Sequence, residues 1–213
     1  MLRRLIAKLS AVFAERFDRS PIADVDRLTR FLRTRSAYVA QTSLYGYLKT
    51  RMGMSFERYF QDESYAASIR EAAVRLFASC LADLTVFTVA TAASERRLSG
   101  AEAAALAIHC YREALAEGIG ASESEGASAA ATDRFAARVA KTSWTDAARG
   151  EAAFAGSAGD LIRFAPVVDE FKALDREIVT NSIRFRWRDI REQCRRRLDA
   201  AAVADGWRRH QVE

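Results

Sequence analysis

Residues 76 to 93, LFASCLADLTVFTVATAA, are apolar on nearly every side when wound as a helix, and a helix of that kind has to be surrounded. Its length is close to the roughly 20 residues that a bilayer requires, so a protein core and a membrane compete as its environment. Asp83 lies near the middle, and Ser79, Thr85, Thr88 and Thr91 add polar load that a lipid interior penalises. The segment is therefore expected at the centre of a helical bundle. There Asp83 needs a buried partner or a raised pKa.

The rest of the chain can supply the surrounding helices. Half of its 213 residues are apolar and 29% are charged, with only two prolines, Pro21 and Pro166, and ten glycines. Ala and Leu dominate the apolar class and Glu and Arg the polar class, a usage that favours helix at most positions. The expected fold is all-α, an irregular bundle of about six to eight helices read from apolar periodicity. No linker-like stretch divides the chain, so a single helical domain over 1–213 is expected.

Residues 1–17 place Leu2, Leu5, Ile6, Leu9, Val12, Phe13 and Phe17 on one stripe, with Arg3, Arg4, Lys8 and Arg16 elsewhere, which predicts an amphipathic N-terminal helix. Ser20 and Pro21 read as an N-cap and first helical residue for a second helix that stops at Gly53. A short turn over Ser55 to Phe60 and a long helix from about 64 to 93 follow. Ser99 and Glu102 match a capping box that opens the next helix.

Residues 118–131, GIGASESEGASAAA, read as a flexible loop, and 155–160, with Gly156 and Gly159, as a second one. Between them a helical pattern runs from Thr132 to about Phe154, with a break near Ser143 to Thr145. The last pattern, from Pro166 to about Ala204, is longer than a compact protein of this size is wide. It is expected either to protrude or to kink at Ile178 to Ser182, where β-branched and cap-favouring residues gather.

Charge is unevenly distributed. Residues 1–60 hold 12 Lys and Arg against 5 Asp and Glu, residues 61–175 hold 11 against 17, and 176–213 hold 10 against 6. Basic ends around an acidic middle suit contact with an anionic partner or packing of the ends on the middle. Arg184, Arg188, Arg191 and Arg195 recur at steps of four, three and four, so they share one helix face that can grip acidic side chains, lipid headgroups or phosphates. The competing expectation is a solvated face in which Glu192 pairs with Arg188 and Arg196, and Asp199 with Arg195. With Arg3, Arg4 and Lys8 of the first helix, these arginines are the candidate partner-binding residues.

Catalytic and cofactor signatures are missing from the sequence: there is no nucleophile elbow, phosphate-binding glycine loop, dinucleotide fingerprint or H-E-x-x-H pair. His109 and His210 are the only histidines, and His109 and Cys110, being adjacent, diverge by about 100° on a helix. Cys80, Cys110 and Cys194 are expected to be reduced core residues, which with the lack of a signal-peptide pattern predicts a cytoplasmic protein, either free or peripheral at the cytoplasmic membrane face. Aromatic and basic residues interleave between Tyr38 and Phe60, but at helical spacing, which suits packing better than base stacking. The sequence thus predicts a non-enzymatic adaptor or assembly protein without a cofactor, binding a protein or an anionic membrane through basic terminal helices. The alternatives are a nucleic-acid binder using the same arginines and an enzyme with an unrecognised helical pocket around a carboxylate such as Asp83.

Overall fold

The computed structural model describes residues 19–53, 61–94, 97–119, 125–150 and 152–211. Among these residues the chain forms eight α-helices and no strand, an all-α multi-helix bundle. They are α1 (Val25–Met52), α2 (Glu63–Ala92), α3 (Gly100–Ile119), α4 (Glu125–Val139), α5 (Trp144–Arg149), α6 (Ala155–Phe164), α7 (Asp169–Arg197) and α8 (Ala200–His210). A 3-10 turn, Ala152–Phe154, leads into α6. The amphipathic segment 1–17, with Arg3, Arg4 and Lys8, and the turn expected at 55–60 lie outside the described residues.

Helix α2 is the hub. From Leu76 to Ala92 every residue except Ser79 and Thr91 is buried, and α1, α3, α5, α6 and α8 all pack on it. By length and composition this helix could cross a membrane, yet 72% of its most apolar window is buried inside the protein. The predicted central element is therefore wrapped by helices of its own chain.

Several boundaries follow from local chemistry. Gly53 closes α1 at φ 53°, a left-handed backbone that glycine adopts without a Cβ clash. The capping box at α3 is formed in both directions: the Ser99 amide donates to Glu102 Oε2 at 2.7 Å, and the Glu102 amide to Ser99 Oγ at 3.2 Å. Helix α1 starts later than Ser20 and Pro21 suggest. Asp24 is its cap, accepting from the Arg27 amide at 2.7 Å, while Ile22 is used in a different contact.

Of the two courses expected for the last helix, protrusion or a kink at 178–182, the kink does not occur. The run Ile178 to Ser182 stays helical, because Val179 and Ile183 are buried against the body and packing outweighs weak propensity. The break comes instead at Leu198, which forms a parallel bridge with Ile22. The Ile22 amide donates to the Arg197 carbonyl at 2.8 Å, and the Asp199 amide donates to the Ile22 carbonyl at 3.0 Å. Backbone groups released by the break are thereby satisfied. Asp199 then caps α8, accepting from the Ala202 amide at 3.0 Å, rather than pairing with Arg195.

Both expected loops are also corrected. The one at 118–131 is shorter, since α3 runs on to Ile119 and α4 starts at Glu125; its alanines are strong helix formers. Residues 155–160 belong to α6, which begins without a side-chain cap of its own.

Candidate docking surface

The buried carboxylate explains why α6 forms where two glycines suggest a loop. Asp83 is fully buried, and its Oδ2 accepts from the Ser157 amide, in the first turn of α6, at 2.8 Å. A carboxylate at this end also meets the positive pole of the helix. The Arg138 guanidinium donates to Asp83 Oδ1 at 2.6 Å and to the Ala153 carbonyl at 2.8 Å. Trp187 Nε1 donates to Ser157 Oγ at 3.0 Å, joining α7 to the same knot. Burial pushes the Asp83 pKa up, and Arg138 and the Ser157 amide oppose that shift. Both oxygens are engaged, and the knot ties α2, α4, α6 and α7 together.

The three cysteines are buried and unpaired with one another, as expected of core thiols. Burial pushes Cys110 up to about 12 and Cys194 up to about 11, which suppresses the thiolate. Among the described residues, no group of three or more His, Cys, Asp and Glu could hold a metal ion.

Helix α7 carries the candidate partner-binding arginines, and the structure splits the row of four. Arg184 and Arg188 project into solvent, with no acidic side chain in contact among the described residues. Arg191, half-buried, lies over the Phe154 ring at 5.7 Å, and Arg195, itself exposed, lies over the Phe87 ring at 5.5 Å, so both guanidinium groups rest on the body. Glu192 pairs with Arg196, one of its two expected partners.

A second feature of this helix is concealed in the sequence pattern. One stripe of α7, Asp175, Val179, Ile183, Trp187, Ile190 and Cys194, is buried. Another is apolar and open: Phe171, Leu174, Ile178 and Phe185 are 46%, 75%, 73% and 66% exposed. On a helical wheel the two stripes lie on the order of 140° apart. The outer residues are spaced by three, four and seven, the pattern of a helix that meets a second helix. That spacing is visible in the sequence, but it is masked there by the first stripe running alongside it.

The outer stripe is held in a fixed frame. At its start Arg51 of α1 makes a two-pronged ion pair with the buried Asp175 and stacks 4.8 Å over the Phe171 ring. Burial and the Asp175 carboxylate push the neighbouring Tyr47 hydroxyl up to about 12. Tyr65 donates to the Pro166 carbonyl at 2.7 Å, fixing the entry to α7. Further along, Arg186 donates to Thr42 Oγ1 of α1 at 3.2 Å. The apolar side chains are thus presented on a helix anchored to the body at several points along its length.

Next to the stripe runs a charged row with a change of sign. Glu170, Glu177, Arg184 and Arg191 follow at seven-residue steps and share one line on the helix, acidic in the first half and basic in the second. Elsewhere, Arg27, Arg30, Arg35 and Arg197 line a hollow of about 290 Å³ with Ser20, Pro21, Phe31 and Thr34. Within it, Arg197 donates to the Ser20 carbonyl and Arg27 to the Pro21 carbonyl, so these cations also hold backbone.

Comparison with protein-family models, curated proteins and solved structures finds no match to this chain.

Proposed function

We propose that the chain is a non-enzymatic helical adaptor or assembly protein, and that it works by docking a protein on the outer face of α7. The observation that carries this reading is the second apolar stripe of that helix, left open although the helix is anchored to the body. Large side chains exposed together at helix-pairing spacing are the mark of an interaction site rather than of an ordinary solvated face.

Proximity of both charge signs favours a protein partner over a nucleic acid or an anionic bilayer. Glu170 and Glu177 share the row of the exposed Arg184, and would meet phosphates or acidic headgroups with repulsion. Arg191 and Arg195, half of the row on which a phosphate-binding reading depends, lie on aromatic rings of the body. An enzymatic reading would need Asp83 open to a cavity, whereas its two oxygens are held by Arg138 and the Ser157 amide.

A photo-cross-linking amino acid in place of Leu174 in the full chain, expressed in its native cells, tests the reading. A discrete protein adduct is expected from that position and not from the exposed position Ala137 on α4, and Ile178→Glu should abolish it. Absence of any protein adduct, or recovery only with vesicles or nucleic acid, would overturn it.

A further inference from the structure

We infer that the occupant of the outer α7 face is a second copy of this chain, with its own α7 laid antiparallel across the first. This rests on the protein-docking reading and names its partner.

Self-complementarity of the helix supports it. Reversing one copy against the other brings the acidic first half of each row beside the basic second half of its partner. Glu177 then lies beside the exposed Arg184 of the second copy, a pair that occurs twice by symmetry. A parallel arrangement would set the two copies of this row on opposite sides of the seam and form no Glu177–Arg184 pair.

In the same register apolar residues meet in the Leu174–Phe185 layer and its symmetry mate, and Phe171 meets the aliphatic stem of Arg188. Leu174 of one copy faces Phe185 of the other, and Ile178 faces Asn181 near the two-fold axis. Asn181 is exposed in the monomer. At the axis it can pair across the interface and set the register, a role that a single polar residue in an otherwise apolar seam performs well. The stripe also ends where a pairing of this kind would end, since Asp189 and the Arg196–Glu192 pair replace apolar residues beyond Phe185.

Sedimentation of the purified full chain over a concentration series, combined with cysteine cross-linking, tests the inference. A monomer–dimer equilibrium is expected. Ile178→Glu should weaken it by about thirtyfold or more, the effect of a central interface residue. Glu177→Arg should weaken it by about twofold to fivefold, as expected for an exposed ion pair, and adding Arg184→Glu in the same chain should restore it. Circular dichroism of each variant separates loss of association from loss of folding.

Orientation is read from disulfides. In the antiparallel arrangement, Leu174→Cys mixed with Phe185→Cys should give the mixed disulfide. Each alone should not cross-link, because two copies of residue 174 lie about 16 Å apart along the axis, beyond disulfide reach. A Leu174→Cys homodisulfide would overturn the antiparallel pairing. A chain that remains monomeric throughout, while Leu174 still cross-links to a different protein in cells, would overturn self-pairing and leave the docking reading standing. A monomer with no protein adduct would remove both.

Discussion

The Asp83 carboxylate, in the middle of the central helix, accepts a hydrogen bond from the Ser157 amide 74 positions later in the chain, at 2.8 Å, and so caps a helix to which it does not belong. It also receives Arg138 at 2.6 Å. Removing the guanidinium would leave a fully buried carboxylate with Ser157 but without its cation. Arg138→Ala should therefore destabilise the fold by about 3 kcal/mol, in the range for breaking a buried pair from one side. Asp83→Asn keeps an acceptor for Ser157 and should cost less, about 1–2 kcal/mol. Urea midpoints of the two variants check the order.

The two glycines of α6 should respond to alanine with opposite signs. A Cβ on Gly156 would stand 2.9 Å from Asp83 Oδ1, too close for the carboxylate to keep its place, whereas one on Gly159 would meet nothing within 4 Å. Gly156→Ala is expected to cost about 1–3 kcal/mol through forced displacement. Gly159→Ala should add about 0.5–1 kcal/mol by restricting the unfolded chain at an exposed helical position. Thermal unfolding of the pair gives both signs in one comparison.

Sequence signals were reliable where a boundary is made by neighbours. Gly53 and the Ser99–Glu102 box act within a few residues of the ends they define, and α2 carries its own all-round apolar pattern. They misled where the decisive partner is distant: Asp83 starts α6 and Ile22 receives the break at Leu198, and no local pattern announces either. The candidate surface was legible only in part, for the same reason. Steps of four, three and four place the arginines on one face, but only the packed body decides that Arg191 and Arg195 stack on Phe154 and Phe87 while Arg184 and Arg188 stay in solvent. The exposed Phe171, Leu174, Ile178 and Phe185 were the larger omission, because α7 has two apolar stripes and periodicity does not say which is buried.

Glu102 links the start of α3 to α8 and should make stability sensitive to acid. The Ser99 amide first, and then the Arg208 guanidinium at 2.8 Å, hold its carboxyl down to about 2, against an ordinary 4.5. A carboxylate with a depressed folded pKa contributes fully above its unfolded value and loses that contribution as pH falls through the folded one. The wild type should therefore lose stability between pH 4.5 and about 2 more steeply than Glu102→Gln, with the difference between the two shrinking across that window. Ser99→Ala should separately cost about 1 kcal/mol at neutral pH through loss of the cap. Denaturant titrations across the acid range test both.

Contact between the only two histidines predicts a second pH effect, near neutrality. The His109 ring on α3 lies 4.9 Å from that of His210 and 5.3 Å from Trp207, both on α8. Burial and then the charge of His210 lower the His109 pKa from the ordinary 6.5; Arg112 acts in the same direction, and Glu113 and Asp26 oppose it. A base whose folded pKa lies below its unfolded one binds more protons when unfolded, so stability rises with pH between the two values. The fold should be at full strength above pH 6.5 and weaken as pH falls below it, levelling off once His109 is protonated in the folded state as well. His109→Gln removes the titration and should flatten the unfolding midpoint between pH 7.5 and 5.5. Hydrogen exchange should place the change in α8, because the protonated His109 ring lies against His210 and Trp207 of that helix; an unaltered slope in the variant would show that other groups carry the dependence.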